Sequence, residues 1–170
     1  LKDDKTYPWF CISNEEYPRI FTTRKRLKDG SLYFGPYPNG KLLKELQDLI
    51  GKLYPYRRCK IPMTEEGVLK NKYKECLNKQ IKICSAPCEG NVSKEEYREI
   101  INDIKRILRG DFYQIKKDLK NQMMDFAKTL EFEKAQIIKD KIQLLDAYTA
   151  KTSIVTNSSL NAEIFAYEEI

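Results

Sequence analysis

Four cysteines inside thirty residues constrain this chain more than any other feature. Cys59, Cys76, Cys84 and Cys88 follow the spacing C-x16-C-x7-C-x3-C, and the chain contains no histidine. Four thiolates are the ligand count of an all-cysteine structural zinc site or of a [4Fe–4S] cluster. The surrounding stretch, 57–90, has little hydrophobic periodicity and is interrupted by Pro62, Gly67, Pro87 and Gly90. Such a segment has difficulty ordering without a staple. The paired CxxC knuckles of a zinc ribbon are missing, which counts against zinc, whereas a cluster tolerates long and unequal spacings because its irons are spread over a cube. The expectation is a [4Fe–4S] cluster held by these four residues. Zinc is the alternative, and disulfides or free thiols stay open. Cys11 sits in a strand pattern and reads as a small buried hydrophobe.

The chain has 170 residues, enough for one ordinary domain or two small ones. No apolar run approaches the roughly 20 residues that a membrane helix needs. The start, Leu1-Lys2-Asp3-Asp4-Lys5, has no apolar core and no initiator Met. It reads as the cut edge of a longer protein rather than as a signal peptide, and the expected compartment is the cytoplasm, where thiols stay reduced. The net charge of +6 is uneven: residues 1–58 carry +5, 59–110 carry +3 and 111–150 are neutral. Excess positive charge in the first two-thirds is a mild footprint for phosphate. The neutral stretch suits a protein partner.

The pattern predicts an α+β chain. Residues 7–12 and 20–24 are rich in aromatic and β-branched side chains and read as strands. Asp29-Gly30 predicts a hairpin between 19–26 and 32–34. After the break at Gly35-Pro36-Tyr37-Pro38-Asn39-Gly40, residues 41–53 form an amphipathic helix carrying Leu42, Leu43, Leu46, Leu49, Ile50 and Leu53 on one side. Ser93-Lys94-Glu95-Glu96 has the form of a capping box and opens a helix that Gly110 stops. Residues 112–148 read as a helical hairpin with its break near Leu130-Glu131-Phe132-Glu133. Two such helices cannot bury both apolar stripes completely against each other, so a third surface must cover the rest. Residues 151–170 read as a linker and the first strand of a further domain.

Taken together, five segments resemble the UvrC family of incision subunits in bacterial nucleotide excision repair. They are Leu1-Lys2-Asp3-Asp4-Lys5-Thr6-Tyr7-Pro8; Tyr17-Pro18-Arg19 with Thr23-Arg24; Tyr33-Phe34-Gly35-Pro36-Tyr37; Cys84-Ser85-Ala86-Pro87-Cys88-Glu89-Gly90; and Leu130-Glu131-Phe132-Glu133-Lys134-Ala135, which is similar to the core of a UVR motif. Their order and spacing cover essentially the whole chain. The resemblance implies the middle of such a protein: the end of a GIY-YIG nuclease domain over 1–56, without its catalytic residues; a cysteine-rich region with its following helix over 57–110; a UVR hairpin over 111–150; and a linker with the start of the next domain over 151–170. The two nuclease centres of the family would lie outside this segment, and no catalytic residue is assigned to it.

The resemblance also implies partners. The hairpin is expected to dock onto the matching hairpin of UvrB, through Met123, Phe126, Leu130, Phe132, Ala135, Ile138 and Ile142. Phe132 is the expected anchor, because an aromatic at the turn is poorly placed to bury itself locally. Arg19, Arg24, Lys25 and Arg26, with Tyr33 and Tyr37, are expected to face double-stranded damaged DNA. Arginines would neutralise phosphates and tyrosines would stack or position sugars, without sequence-specific readout. A solvated strand face with half-buried tyrosines is the competing reading. A metal-binding regulator that uses a UVR-type hairpin outside repair is the alternative function.

Overall fold

The computed structural model describes residues 7–74 and 76–152, and the backbone of 153–158 and 167–168. The expectations for the first five residues, and most of the proposed linker after 158, lie outside the described residues. The chain divides into two compact units, residues 1–104 with 165–170 and residues 105–164, and the division falls within one helix.

In the first unit, four strands form an antiparallel sheet of order β2-β1-β3-β4: β1 (Trp9–Ile12), β2 (Ile20–Thr23), β3 (Leu32–Phe34) and β4 (Tyr167–Glu168). Strand β1 is central because it is the most apolar. Phe10, Cys11 and Ile12 are all buried, and the backbone N–H and C=O groups of so buried a strand need partners on both edges. It pairs with β2 in the register Phe10↔Thr22 and with β3 in the register Phe10↔Phe34. This corrects the hairpin expected at Asp29-Gly30. Strands β2 and β3 do not pair with each other but flank β1. The Asp29-Gly30 turn still forms, with Gly30 at φ +77 and the Asp29 carboxylate accepting from the Ser31 N–H at 3.0 Å, but it closes a connection that passes β1. The short strand β4 adds to this sheet, with Tyr33 opposite Glu168, while residues 159–166, in the stretch expected as a linker and the start of a further domain, lie outside the described residues.

Helix α1 (Gly40–Leu53) begins at Asn39, whose side chain accepts from the Lys41 and Leu42 N–H groups, and buries Leu43, Leu46, Leu49, Ile50 and Leu53. Between Arg57 and Gly90 the described residues make two short helices, α2 (Glu65–Leu69) and α3 (Leu77–Gln80), and one 3-10 turn at Pro87–Glu89. Helix α4 (Lys94–Leu108) carries the capping box read from the sequence: the Glu96 carboxylate accepts from the Ser93 N–H at 2.9 Å, and the Ser93 hydroxyl accepts from the Glu96 N–H at 3.1 Å. Phe10, Ile50, Leu53, Tyr56, Tyr97 and Ile104 are fully buried at the heart of this unit.

The second unit is dominated by a helical hairpin, α5 (Phe112–Lys128) and α6 (Phe132–Ser158). Ile115, Leu119, Ile138, Ile142 and Leu145 are buried, Lys116 pairs with Asp146, and the Phe112 and Tyr148 rings lie 5.6 Å apart. Mixed strands and helices make the class α+β. No helix among the described residues is long and apolar enough to cross a membrane.

Candidate functional site

The chemistry of the cysteine segment depends on how an almost structureless loop is held. Three tethers fix it. The Ser85 N–H donates to the Pro55 carbonyl at 2.9 Å, which ties the Cys84 turn to the end of α1. The Cys84 N–H donates to the Asn78 carbonyl at 3.2 Å, and Lys79 pairs with Glu89, so α3 is bound to the turn carrying Cys88. Cys76 caps the start of α3 without a side-chain bond, and its thiol is left for other use. Ala86, buried between Cys84 and Cys88, is held at φ +52, a left-handed conformation that costs a non-glycine residue roughly 1 kcal/mol.

The four thiols are half-buried, free, and close enough to feel one another. Burial first, and then the charges of Cys84, Glu89, Cys76 and Cys59, push the Cys88 thiol up to about 11. Burial also raises Cys84, with Cys59 and Cys76 adding to the effect against the Ala86 N–H, which donates to its sulfur at 3.4 Å. Among the described residues no three cysteine, aspartate or glutamate side chains converge on a single metal ion. Two of the four sulfurs, Cys59 and Cys84, accept N–H bonds, and all four are soft donors of the kind that iron and zinc take.

One residue that sequence reasoning passed over organises this region. The Arg57 guanidinium is completely buried. Its Nε donates to Cys59 Sγ at 3.2 Å, its Nη1 to Glu15 Oε2 at 2.9 Å and to the Tyr17 carbonyl, and its Nη2 to the Ile61 carbonyl. Its backbone N–H donates to the Tyr97 hydroxyl at 3.0 Å, and that hydroxyl donates to the Pro18 carbonyl at 2.7 Å. Burial would raise the Glu15 pKa, but bonds from Arg57, Ser13 and Arg19 outweigh it and hold the carboxyl below its usual range. The available signal was a cation two residues before a cysteine, at the end of the otherwise uncharged run Leu53-Tyr54-Pro55-Tyr56.

The residues expected at DNA divide into two groups. Arg24 and Lys25 are exposed at the end of β2. Arg19 is half-buried, paired with Glu15 at 3.2 Å and stacked over the Phe21 ring at 4.5 Å. Arg19 and Lys25, but not Arg24, border a groove of about 420 Å³ that also includes Asn14 and Thr23. Arg26 lies over the Trp9 ring at 4.6 Å, so its first contact is with the protein itself. Tyr33 and Tyr37 are core residues, 3% and 4% exposed, and this corrects their expected role. Tyr33 lies opposite Cys11 on a covered face of the sheet, where its hydroxyl accepts from the Leu27 N–H at 3.0 Å, and Tyr37 packs edge-on against Phe10. Neither ring is available to stack on a sugar or base.

The hairpin residues divide in the same way. Ile138 and Ile142 are buried within the unit, so their expected contact with a partner gives way to packing in their own hairpin. Met123, Phe126 and Ala135 are half-buried, while Leu130 and Phe132 at the turn are 72% and 64% exposed. The turn closes by a Schellman pair, with the Glu131 N–H bonded to the Phe126 carbonyl at 2.9 Å and the Leu130 N–H to the Ala127 carbonyl at 3.2 Å. This geometry puts Leu130 at φ +59, a position that glycine normally fills. An open groove of about 380 Å³ runs along residues 130–134.

Comparison with known proteins matches residues 7–107 to the UvrC/Cho excinuclease middle domain. The chain belongs to that family. It is 44% identical over 166 residues to the UvrABC system protein C of Flavobacterium johnsoniae, covering 98% of this chain and 28% of the relative. It is 44% identical to that of Chlorobaculum tepidum, with 98% and 26% covered, and 41% identical to that of Porphyromonas gingivalis, with 99% and 28% covered. The chain thus spans little more than a quarter of the relatives' length. No solved structure matches it. The middle-domain match takes in the sheet, the cysteine segment and nearly all of α4, and stops before the α5–α6 hairpin.

Proposed function

We propose that this chain is the central segment of a UvrC-like incision subunit of the UvrABC excision nuclease, acting in nucleotide excision repair. It docks onto UvrB through the turn of the α5–α6 hairpin and holds the nuclease against damaged DNA through the basic edge of its sheet. The observation that carries the docking reading is the turn itself. Two large apolar side chains, Leu130 and Phe132, stand in water, and one of them occupies a backbone position that costs a leucine stability. A turn selected for stability alone would carry glycine there. A second UVR hairpin presenting the same kind of turn would cover both side chains, and the zero net charge of 111–150 removes repulsion between two such modules.

DNA contact rests on Arg24, Lys25 and the partly engaged Arg19, and on phosphates alone, so every sequence is accepted equally. The double substitution Arg24→Ala with Lys25→Ala is expected to weaken DNA binding of the repair complex uniformly across sequences and to reduce the slope of log affinity against log salt by about 2. An unchanged slope would show that this edge lies away from the DNA.

Cys59, Cys76, Cys84 and Cys88 would hold the cluster, which when bound supplies a structural clip and a redox-active centre. Their own part is to present four sulfurs from three separate backbone segments, joining the DNA-facing sheet to α4. Purification without oxygen, followed by analysis of iron, sulfide and zinc, tests this. About four irons per chain with a broad visible absorption is the expected result. A colourless protein with about one zinc would make the module a zinc clip instead.

A further inference from the structure

The most unusual group in the first unit is a guanidinium with no exposure to water, and its surroundings show what it is for. A buried arginine needs compensating negative charge and a partner for each of its N–H groups. Arg57 has one carboxylate, Glu15, which is itself partly in water. Its other contacts are two carbonyls and one sulfur. Cys59 Sγ is the remaining acceptor at the guanidinium, 3.2 Å from Nε, and a cysteine that binds metal presents a thiolate. Four thiolates around either a cluster or a zinc ion leave the centre net negative, which matches a fixed cation at its wall.

We infer that Arg57 is the positioning residue of the four-cysteine centre: it orients Cys59 through an N–H···S bond, balances the centre's charge and fastens it to the loop between β1 and β2. This rests on the reading of the cysteines as a metal centre. The fork geometry is essential to the role. One face of the guanidinium holds Glu15 and Tyr17 while Nε reaches the sulfur, so the ligand and the sheet loop are fixed by one rigid group. Lysine offers the charge without the fork. Hydrogen bonds to ligand sulfurs are among the levers that set a cluster's potential, and outer-shell partners commonly govern metal affinity. Because Glu15 and Tyr17 lie in the loop that leads into β2, a change at the basic edge has a direct route of bonded atoms to one ligand of the centre.

The test uses the whole chain as wild type, Arg57→Lys, Arg57→Gln and Glu15→Gln, each loaded anaerobically with iron and sulfide and, separately, with zinc against a competing chelator. Metal per chain, reduction potential and thermal melting are recorded together. Arg57→Gln is expected to bind metal about 10- to 100-fold more weakly. Arg57→Lys is expected to load, with a more negative potential because the N–H···S bond is lost, or with weaker zinc binding if zinc is the resident metal. Glu15→Gln, which leaves the bond to Cys59 in place, is expected to lower the melting temperature while metal binding stays closer to wild type than in Arg57→Gln. If Arg57→Gln fails to fold, Arg57→Lys decides. A folded Arg57→Lys variant with wild-type metal affinity and potential would reduce Arg57 to a structural ion pair and overturn the inference. A wild type that takes up neither iron nor zinc would overturn the metal-centre reading and this inference with it.

Discussion

Phe132→Ala should weaken binding to the UvrB hairpin by at least about 2 kcal/mol, roughly 30-fold, while leaving thermal stability within about 0.5 kcal/mol of wild type. The asymmetry follows from exposure. A side chain 64% exposed contributes little to its own fold, and its value lies in what later covers it. Leu130→Gly sharpens the test. Glycine relieves the left-handed strain of about 1 kcal/mol, and the added freedom of the unfolded chain offsets much of it, so folding stability should hardly move. Binding should fall, because a 72%-exposed leucine is lost from the contact. Ile142→Ala gives the opposite pattern: a buried hairpin residue, truncated, should cost about 2–5 kcal/mol of stability. Isothermal titration against the UvrB hairpin, with melting curves for each variant, reads all three. Unchanged affinity for both turn variants would remove the hairpin turn as the docking site.

Tyr97→Phe should destabilise the first unit by about 2–4 kcal/mol and lower its melting temperature by roughly 10 °C or more. The ring stays and no cavity opens, so the whole effect comes from one oxygen. That oxygen accepts from the Arg57 N–H at 3.0 Å and donates to the Pro18 carbonyl at 2.7 Å. Without it a buried donor and an acceptor lose their partner, at about 1–3 kcal/mol each. This hydroxyl and the guanidinium beside it link the Arg57 segment to the loop before β2 and to α4, beside the Lys94–Glu16 pair and the Tyr17–Tyr97 ring contact, so the loss should also loosen Cys59. A wild-type melting curve would mean that water enters and replaces the hydroxyl.

Much of the local structure was legible because local chemistry decides it. The Ser93–Glu96 capping box, the apolar face of α1, the break at Leu130-Glu131-Phe132-Glu133 and the burial of Cys11 follow from residue type and spacing within a few positions. Phe132 was legible for the same reason, since a turn leaves an aromatic nowhere to go. Strand pairing was not. Asp29-Gly30 is a strong turn signal, yet it reports only that the chain reverses, and which strand fills the gap depends on the competition for the most apolar partner. Phe10, Cys11 and Ile12 won the centre of the sheet, and the expected β2–β3 hairpin opened to admit them.

The side chains expected at partners show the same boundary. Tyr33 and Tyr37 are amphipathic, and a pattern cannot tell whether a tyrosine's ring faces DNA or the core; pairing opposite Cys11 buried Tyr33, and packing on Phe10 buried Tyr37. Arg57 was read as one charge among many, because sequence counts cations without their partners. The sequence by itself determined the four longer helices, the Ser93–Glu96 cap, the exposed hairpin turn and the four-cysteine inventory, all of which depend on interactions between residues close along the chain. Only the tertiary structure decided the strand order, the burial of the tyrosines and the contact of Arg57 with Cys59, Glu15 and Tyr97. Those depend largely on residues far apart in the chain, 40 positions for Arg57–Tyr97 and 42 for Arg57–Glu15, whose meeting is set by which surfaces compete most strongly to leave water.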